Sequence, residues 1–405
     1  MAGQYMESRI GRIAVAAQTT WGTAESVPIA DTGTVECELT YPTTEQEALV
    51  QESLKGNFHA DTVVGGAKRA TLSLSMVLHG WSQSTPTDNV DTLSTNPEML
   101  LLKSALGGLV ATGYTANCTG GAVGAPTNSA LSSAWIGNAQ LYEAPANTYS
   151  VGWVKNATGT TVTLIRALTG APQTGTAYGS ATAYLTKAPV SPLTIFYQGP
   201  DVTGASGDGA VLRLSDCVVT SATITINPKE QPKLTCEISA GAWDIPASPV
   251  TGLTGQFDYG YTQLNPLLGV NGARMVSAAG EMAVFSAEIN IENTVTEINS
   301  LGASQGLNEF VAVNRVVTGT IVMPTDNNFS LQSPGASLGT VQVDLASTPG
   351  QSFSILFPAC TVGEMQTIGD NDGVIATTNN IVLSKYTADA SSSEAGNKPF
   401  RVAWL

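Results

Sequence analysis

Histidine is nearly missing from this chain, with His59 and His79 the only two. The five cysteines, Cys37, Cys118, Cys217, Cys236 and Cys360, show no Cys-x-x-Cys spacing. Thiol and imidazole ligands are therefore too few and too scattered for a zinc site. The cysteines have apolar flanks and read as reduced, buried thiols. Basic residues are scarce too: 17 Lys and Arg stand against 32 Asp and Glu, a formal net charge of −15. Such a surface repels phosphate and argues against electrostatically driven nucleic-acid binding. No apolar run approaches the roughly 20 residues of a membrane helix. The opening MAGQYMESRIGRIAVAAQ holds an apolar stretch shorter than a signal-peptide core, so assembly in the cytoplasm, away from membranes, is expected.

What is abundant is Thr, Ser, Gly, Ala and Val, and charged residues make up only 12 per cent of 405. That balance suits strands and polar turns. Alternation of apolar and polar residues runs through ATLSLSMVL (70–78), VLRLSDCVVTSATITI (211–226), KLTCEIS (233–239), AEINIE (287–292), VVTGTIVM (316–323) and TVQVDLA (340–346). One segment, NPEMLLLKSALGG (96–108), predicts a helix: Asn96 can cap it, Pro97 opens it and Gly107 ends it. The fold class is all-β with a short helix.

Motifs for chemistry are weak. GASLG (335–339) has the spacing of a nucleophile elbow at Ser337, but a strand-like segment follows it and no His lies after it, so a plain loop is the better reading. GASGDG (204–209) lacks the strand, helix and Lys of a phosphate loop. GDNDG (369–373) lacks the distal ligands of a calcium loop and reads as a hairpin turn. His79 has no motif partner. No catalytic residue, cofactor or metal site is expected.

Two tracts carry acids of one sign. From Ile13 to Leu54 there are Glu25, Asp31, Glu36, Glu38, Glu45, Glu47 and Glu52; from Met275 to Asn314 there are Glu281, Glu288, Glu292, Glu297 and Glu309; neither tract has a Lys or Arg. The tracts also resemble each other. TVECELTYPTTEQEAL (34–49) aligns with SAEINIENTVTEINSL (286–301), matching Glu36 with Glu288 and Glu45 with Glu297. Each copy then runs through a polar stretch to an Arg and an alternating strand, KRATLSLSMVL and NRVVTGTIVM. Later, LRLSDCVVTSATITI (212–226) parallels FSILFPACTVGEMQTI (353–368). Recurrence of blocks in one order predicts a long-period duplication.

Three segments carry a resemblance to a known family: AAQTTWGTAESVPIADTGTVECELTYP, the block from LTIFYQGP to LTCEISAGAWD (193–244), and the close from GTVQVDLASTPGQSFSILFPACTVGEMQTI to NNIVLSKY. Together they resemble the tail tube proteins (major tail proteins) of tailed bacteriophages. The resemblance covers most of the chain as a combination of segments and not as a short motif. It implies β-sandwich or barrel domains of tail-tube type, which the repeat makes two in tandem, a structural virion tail protein and no enzyme. Sheets would join between subunits into rings, rings would stack, and double-stranded DNA would pass through in transit without specific binding. The expected partners are further copies of the chain, a trimer favoured over a hexamer, and other tail proteins. The expected organisation is an N-terminal arm (1–33), a first tube domain in two parts (34–110 and 190–246), an inserted β module (111–189), a linker (247–270) and a second tube domain (271–405). Glu36, Glu38, Glu288, Asn290 and Glu292 would face the lumen. Glu45, Glu47, Glu52 and Glu297 would lie on long loops (43–68 and 293–314) reaching the neighbouring ring. The alternative is a decoration protein or adhesin whose inserted module binds carbohydrate through Trp135, Tyr142, Tyr149 or Trp153, although scattered aromatics in a β module are more often core.

Overall fold

A computed structural model describes residues 11–25, 34–39, 41–50, 63–78, 97–111, 117–129, 133–198, 211–227, 230–245, 274–277, 280–303, 306–325, 334–345, 349–350, 352–371, 373–389 and 395–405. The described residues are nearly all strand, with one α-helix, Pro97–Leu106.

Six strands of the first half form a closed ring of antiparallel pairs. Gly11–Ala17 pairs with Thr34–Leu39, which pairs with Val63–Val77, and this pairs with Lys233–Asp244. Lys233–Asp244 pairs with Val211–Ile226, then Leu193–Gln198 follows and returns to Gly11–Ala17. Closure removes the open edges that so many strands would otherwise expose.

The second half repeats the order. Ser286–Asn299 pairs with Leu307–Pro324, Leu307–Pro324 with Val374–Leu383, Val374–Leu383 with Phe353–Val362, Phe353–Val362 with Ser337–Leu345, and Ser337–Leu345 with Arg274–Ser277. The closing pair of the first half has no counterpart among the described residues. Ser286–Asn299 uses that edge to pair with Val211–Ile226 of the first half, from Ser221↔Glu292 to Ile226↔Ala287. The two halves thereby share one sheet and one apolar core, in which Leu74, Ile224 and Ile238 meet Ile289, Val317 and Phe357.

Register corrects one detail of the repeat. Leu39 pairs with Leu74 and Ile291 with Val317. Arg315 therefore stands where the first half has Leu72, and Arg69 and Arg315 are not equivalents. Bulges between Thr294 and Val295 and between Ile298 and Asn299 change the arm's length beyond this point.

The helix matches its expected span, although Asn96 lies outside the described residues. Every helical residue but Lys103 is buried, and Met99, Leu101, Leu102, Ala105 and Leu106 are wholly so. A helix apolar on nearly all sides belongs inside a core, and this one packs against Val211–Ile226, Ser286–Asn299 and Gly11–Ala17. Gly107 ends it at φ +94, a left-handed value that favours glycine.

Within the expected insertion, residues 117–178 form a second sheet ordered Gly175–Thr176, Asn117–Ala122, Ala125–Asn128, Thr161–Leu164, Tyr149–Thr158, Ala139–Glu143. A bridge from Leu141 to Tyr178 nearly closes it. The flanking strands Gly107–Ala111 and Ala181–Leu185 pair with each other and join the large sheet through Arg401–Trp404.

Candidate functional site

Alternation gives the shared sheet one apolar and one polar face. On the polar face, register aligns side chains into rows that cross both halves. One row runs Ser75, Thr235, Thr223, Asn290, Thr318. A second runs Ser73, Glu237, Ser221, Glu292. A third runs Lys233, Thr225, Glu288, Thr320, Asn380. Hydroxyls and carboxylates bond along the rows. Ser73 Oγ donates to Glu237 Oε1 (2.7 Å), Thr223 Oγ1 to Asn290 Oδ1 (2.8 Å), and Thr320 Oγ1 to Asn380 Oδ1 (3.1 Å). Asn290 Nδ2 donates to Glu288 Oε1 (3.0 Å), and Asn380 Nδ2 to Glu364 Oε2 (3.0 Å).

Three of the sequence-predicted residues thus come together: Glu288 and Glu292 are exposed and Asn290 is half-buried between them. Glu38 pairs by backbone register with Ser75, which extends the first row; the side chains of Glu36 and Glu38 lie outside the described residues. Sequence reasoning missed Glu237. Its signal was present, since KLTCEIS puts Lys233, Thr235 and Glu237 on one face.

The expected long loops are, among the described residues, the arms of β-hairpins. Thr43–Val50 pairs with Val63–Val77, and residues 293–299 pair with 307–315. The loops that the resemblance implied are replaced there by cross-strand backbone pairing. Glu45, Glu47 and Glu297 are exposed on these arms, and Glu52 lies outside the described residues. The arms meet: Arg69 Nη2 lies 3.1 Å from Glu297 Oε2, and Glu47 lines one cleft with Arg69, Asn299 and Leu301. Trp243 Nε1 donates to the Glu45 carbonyl (3.1 Å), with Lys68 Nζ 4.6 Å from the centre of its ring.

The aromatic residues of the carbohydrate alternative are not presented to a ligand. Trp135, Tyr142 and Trp153 are buried, and Tyr149 is half-buried, edge-on to Tyr178 at 6.5 Å. Trp153 Nε1 donates to Ser354 Oγ (2.9 Å) and its ring packs with Leu356 and Leu405, gluing the second sheet to the first. Burial of large aromatic area is the physical reason: these rings are core. Ser337 opens the strand Ser337–Leu345, so no elbow turn into a helix exists there. GDNDG closes a hairpin in which Gly373 N donates to Asp370 Oδ1 (2.7 Å). His59, His79 and residues 204–209 lie outside the described residues. No group of three or more metal-ligating side chains occurs among the described residues.

Comparison with curated proteins gives no match. The family profile described as phage tail tube protein matches residues 8–382, nearly the whole length of the chain. The chain belongs to the phage tail tube protein family, structural components of the virion tail.

Proposed function

We propose that three copies of the chain close into a ring, that rings stack into a tube, and that the polar face lines the channel by which double-stranded DNA leaves the particle. The observation that carries this reading is the continuity of that face across two strand sets paired in the same order. One chain then supplies two tube domains by duplication, and three chains supply six. A lumen bearing Glu237, Glu288 and Glu292 against Lys233, among Ser, Thr and Asn, keeps a net negative face that repels phosphate, so DNA passes without sticking. Basic contacts would release counterions and act as brakes. The role is non-catalytic.

The junction inside the chain is a template for the junction between chains. Residues 221–226 pair with 287–292; by the repeat, the end of Phe353–Val362 and the residues just after it in one copy would pair with Thr34–Leu39 of the next. Met365 and Ile368 are exposed just past that strand. In the single chain Gly11–Ala14 covers the edge of Thr34–Cys37, which guards it against indiscriminate pairing before assembly.

Symmetry and delivery test the reading separately. In a Cys37→Ser background, Glu38→Cys with Glu364→Cys is expected to give covalent trimers on oxidation; covalent hexamers would refute the three-chain ring. Glu36→Lys with Glu288→Lys is expected to assemble into tubes yet slow or block genome delivery. Unchanged infectivity of particles carrying both lysines would remove the lumen assignment.

A further inference from the structure

Among the described residues three arginines hold a carboxylate of their own chain: Arg69 with Glu297, Arg213 with Asp244 and Arg401 with Asp389. Arg315 holds none among them. Its Nη1 donates to the carbonyl oxygens of Thr186 (2.7 Å) and Ala188 (2.8 Å), which fixes the guanidinium plane. Its Nε and Nη2, the edge that grips a carboxylate with two parallel hydrogen bonds, are shielded from water and have no acceptor among the described residues. Leaving buried charged donors unmet is costly. Burial pushes this guanidinium down from its ordinary value, and no acid opposes the shift.

Arg315 lines a cavity of about 690 Å³ with Lys187 and Lys398 on its wall, Val313 and Pro399 as apolar surface, and no Asp or Glu among the described lining residues. In a chain of net charge −15 this is a local reversal of sign. The volume far exceeds the roughly 30 Å³ share of one water, leaving room for a peptide arm and not only a lone ion. The chain carries a matching surface. Glu45 and Glu47 are exposed on the arm Thr43–Val50. They take part in none of the ion pairs among the described residues.

We propose that this cavity docks the acidic arm of a second copy, with one carboxylate of Glu45 or Glu47 on the Nε and Nη2 edge of Arg315 and the other held by Lys187 and Lys398. The inference rests on the stacked-ring reading, which brings a second copy within reach. The arm must displace a lining side chain to meet the shielded edge, and the flexible lysine stems permit this.

The test compares full-length protein with its Lys187→Glu/Lys398→Glu variant for assembly, by sedimentation and electron microscopy, with thermal melting of unassembled protein as the check on folding. The variant is expected to melt with the wild type and to need about tenfold or more protein for half-assembly. Equal assembly overturns the proposal. Should the reversals unfold the chain, the neutral Lys187→Gln/Lys398→Gln pair carries the same comparison. Adding Glu45→Lys or Glu47→Lys singly to the charge-reversed variant is expected to restore assembly in the one case where the new lysine meets the reversed wall and the remaining carboxylate stays on Arg315; a folded protein that neither single change restores overturns the choice of arm. Inorganic phosphate is the competing occupant. Stabilisation by phosphate that the lysine reversals abolish, with assembly untouched, assigns the cavity to a small anion and overturns docking. Wild-type protein that forms no rings under any condition overturns the stacked-ring reading itself, an outcome distinct from the others.

Discussion

At the scale of single residues, Cys118, Cys217, Cys236 and Cys360 are free and buried. Burial pushes their thiols up, Cys360 to about 12. A thiol that keeps its proton is a poor nucleophile and a poor metal ligand. With Cys37 replaced by Ser, a thiol reagent at pH 8 is expected to label none of the four in folded protein and all four in denaturant; rapid labelling of the native chain would contradict the burial. The pH dependence has a definite sign. Below the ordinary thiol value of 9.0 both states hold the proton, and this contribution is fully present. Above it the unfolded chain sheds protons that folded Cys360 retains, so stability is lost as pH rises from 9.0 towards 12. Denaturant melts across that window, with and without Cys360→Ala, measure it. A second residue-scale prediction concerns Arg401 and Asp389, an ion pair with both side chains fully buried. Tyr386 OH also donates to Asp389 Oδ1 (2.7 Å), and Arg401 Nη1 donates to Gly137 O in the second sheet (3.4 Å). Asp389→Asn removes the charge that Arg401 requires, and about 3–5 kcal/mol of stability should go with it in urea melts.

At the scale of elements, helix Pro97–Leu106 was legible because cap, opening proline and closing glycine are local signals. Its burial was not, since only packing against strands far along the chain covers every face. Leu102→Ala is expected to cost about 2–5 kcal/mol, read as a shifted denaturation midpoint at constant slope. The two hairpins were expected as loops because the family resemblance implied loops there, and cross-strand pairing makes them strands. The second hairpin rests on the first half through Leu307 and Phe310, which pack with Val218 and Trp21. Gly241 permits that approach, because a Cβ there would stand 2.1 Å from Leu307 Cδ2. Gly241→Val should therefore lift the hairpin and speed limited proteolysis between residues 299 and 306. Glu297→Gln should change stability by less than about 1 kcal/mol, since its pair with Arg69 is partly exposed.

At the scale of the whole molecule, the second sheet is part of one body and not a loose ornament. Trp153, Leu141 and Val151 pack on Leu356, Ala403 and Leu405, and Gln342 Nε2 donates to Val151 O (3.3 Å). Trp153→Ala should cost about 3–5 kcal/mol and lower a single melting transition; two separate transitions in the wild type would show that the sheets fold independently. The sharing of one sheet by both strand sets has a further consequence. Strand pairing between the halves, Ser221 to Ile226 with Ala287 to Glu292, fixes how the two strand sets sit against each other within the chain.

By itself the sequence determined which face of each strand is apolar and that its acidic tracts carry no Lys or Arg. These are local properties, set by alternation with period two and by residue type. Only the tertiary structure decided that both acidic strands belong to one sheet, that Glu237 joins Glu288 and Glu292, and that Trp153 is glue and not a ligand platform. It also decided that Arg315 faces a cavity with its bidentate edge unmet. Each of these depends on pairing between segments far apart in the chain, and a one-residue change of register would send every such side chain to the other face.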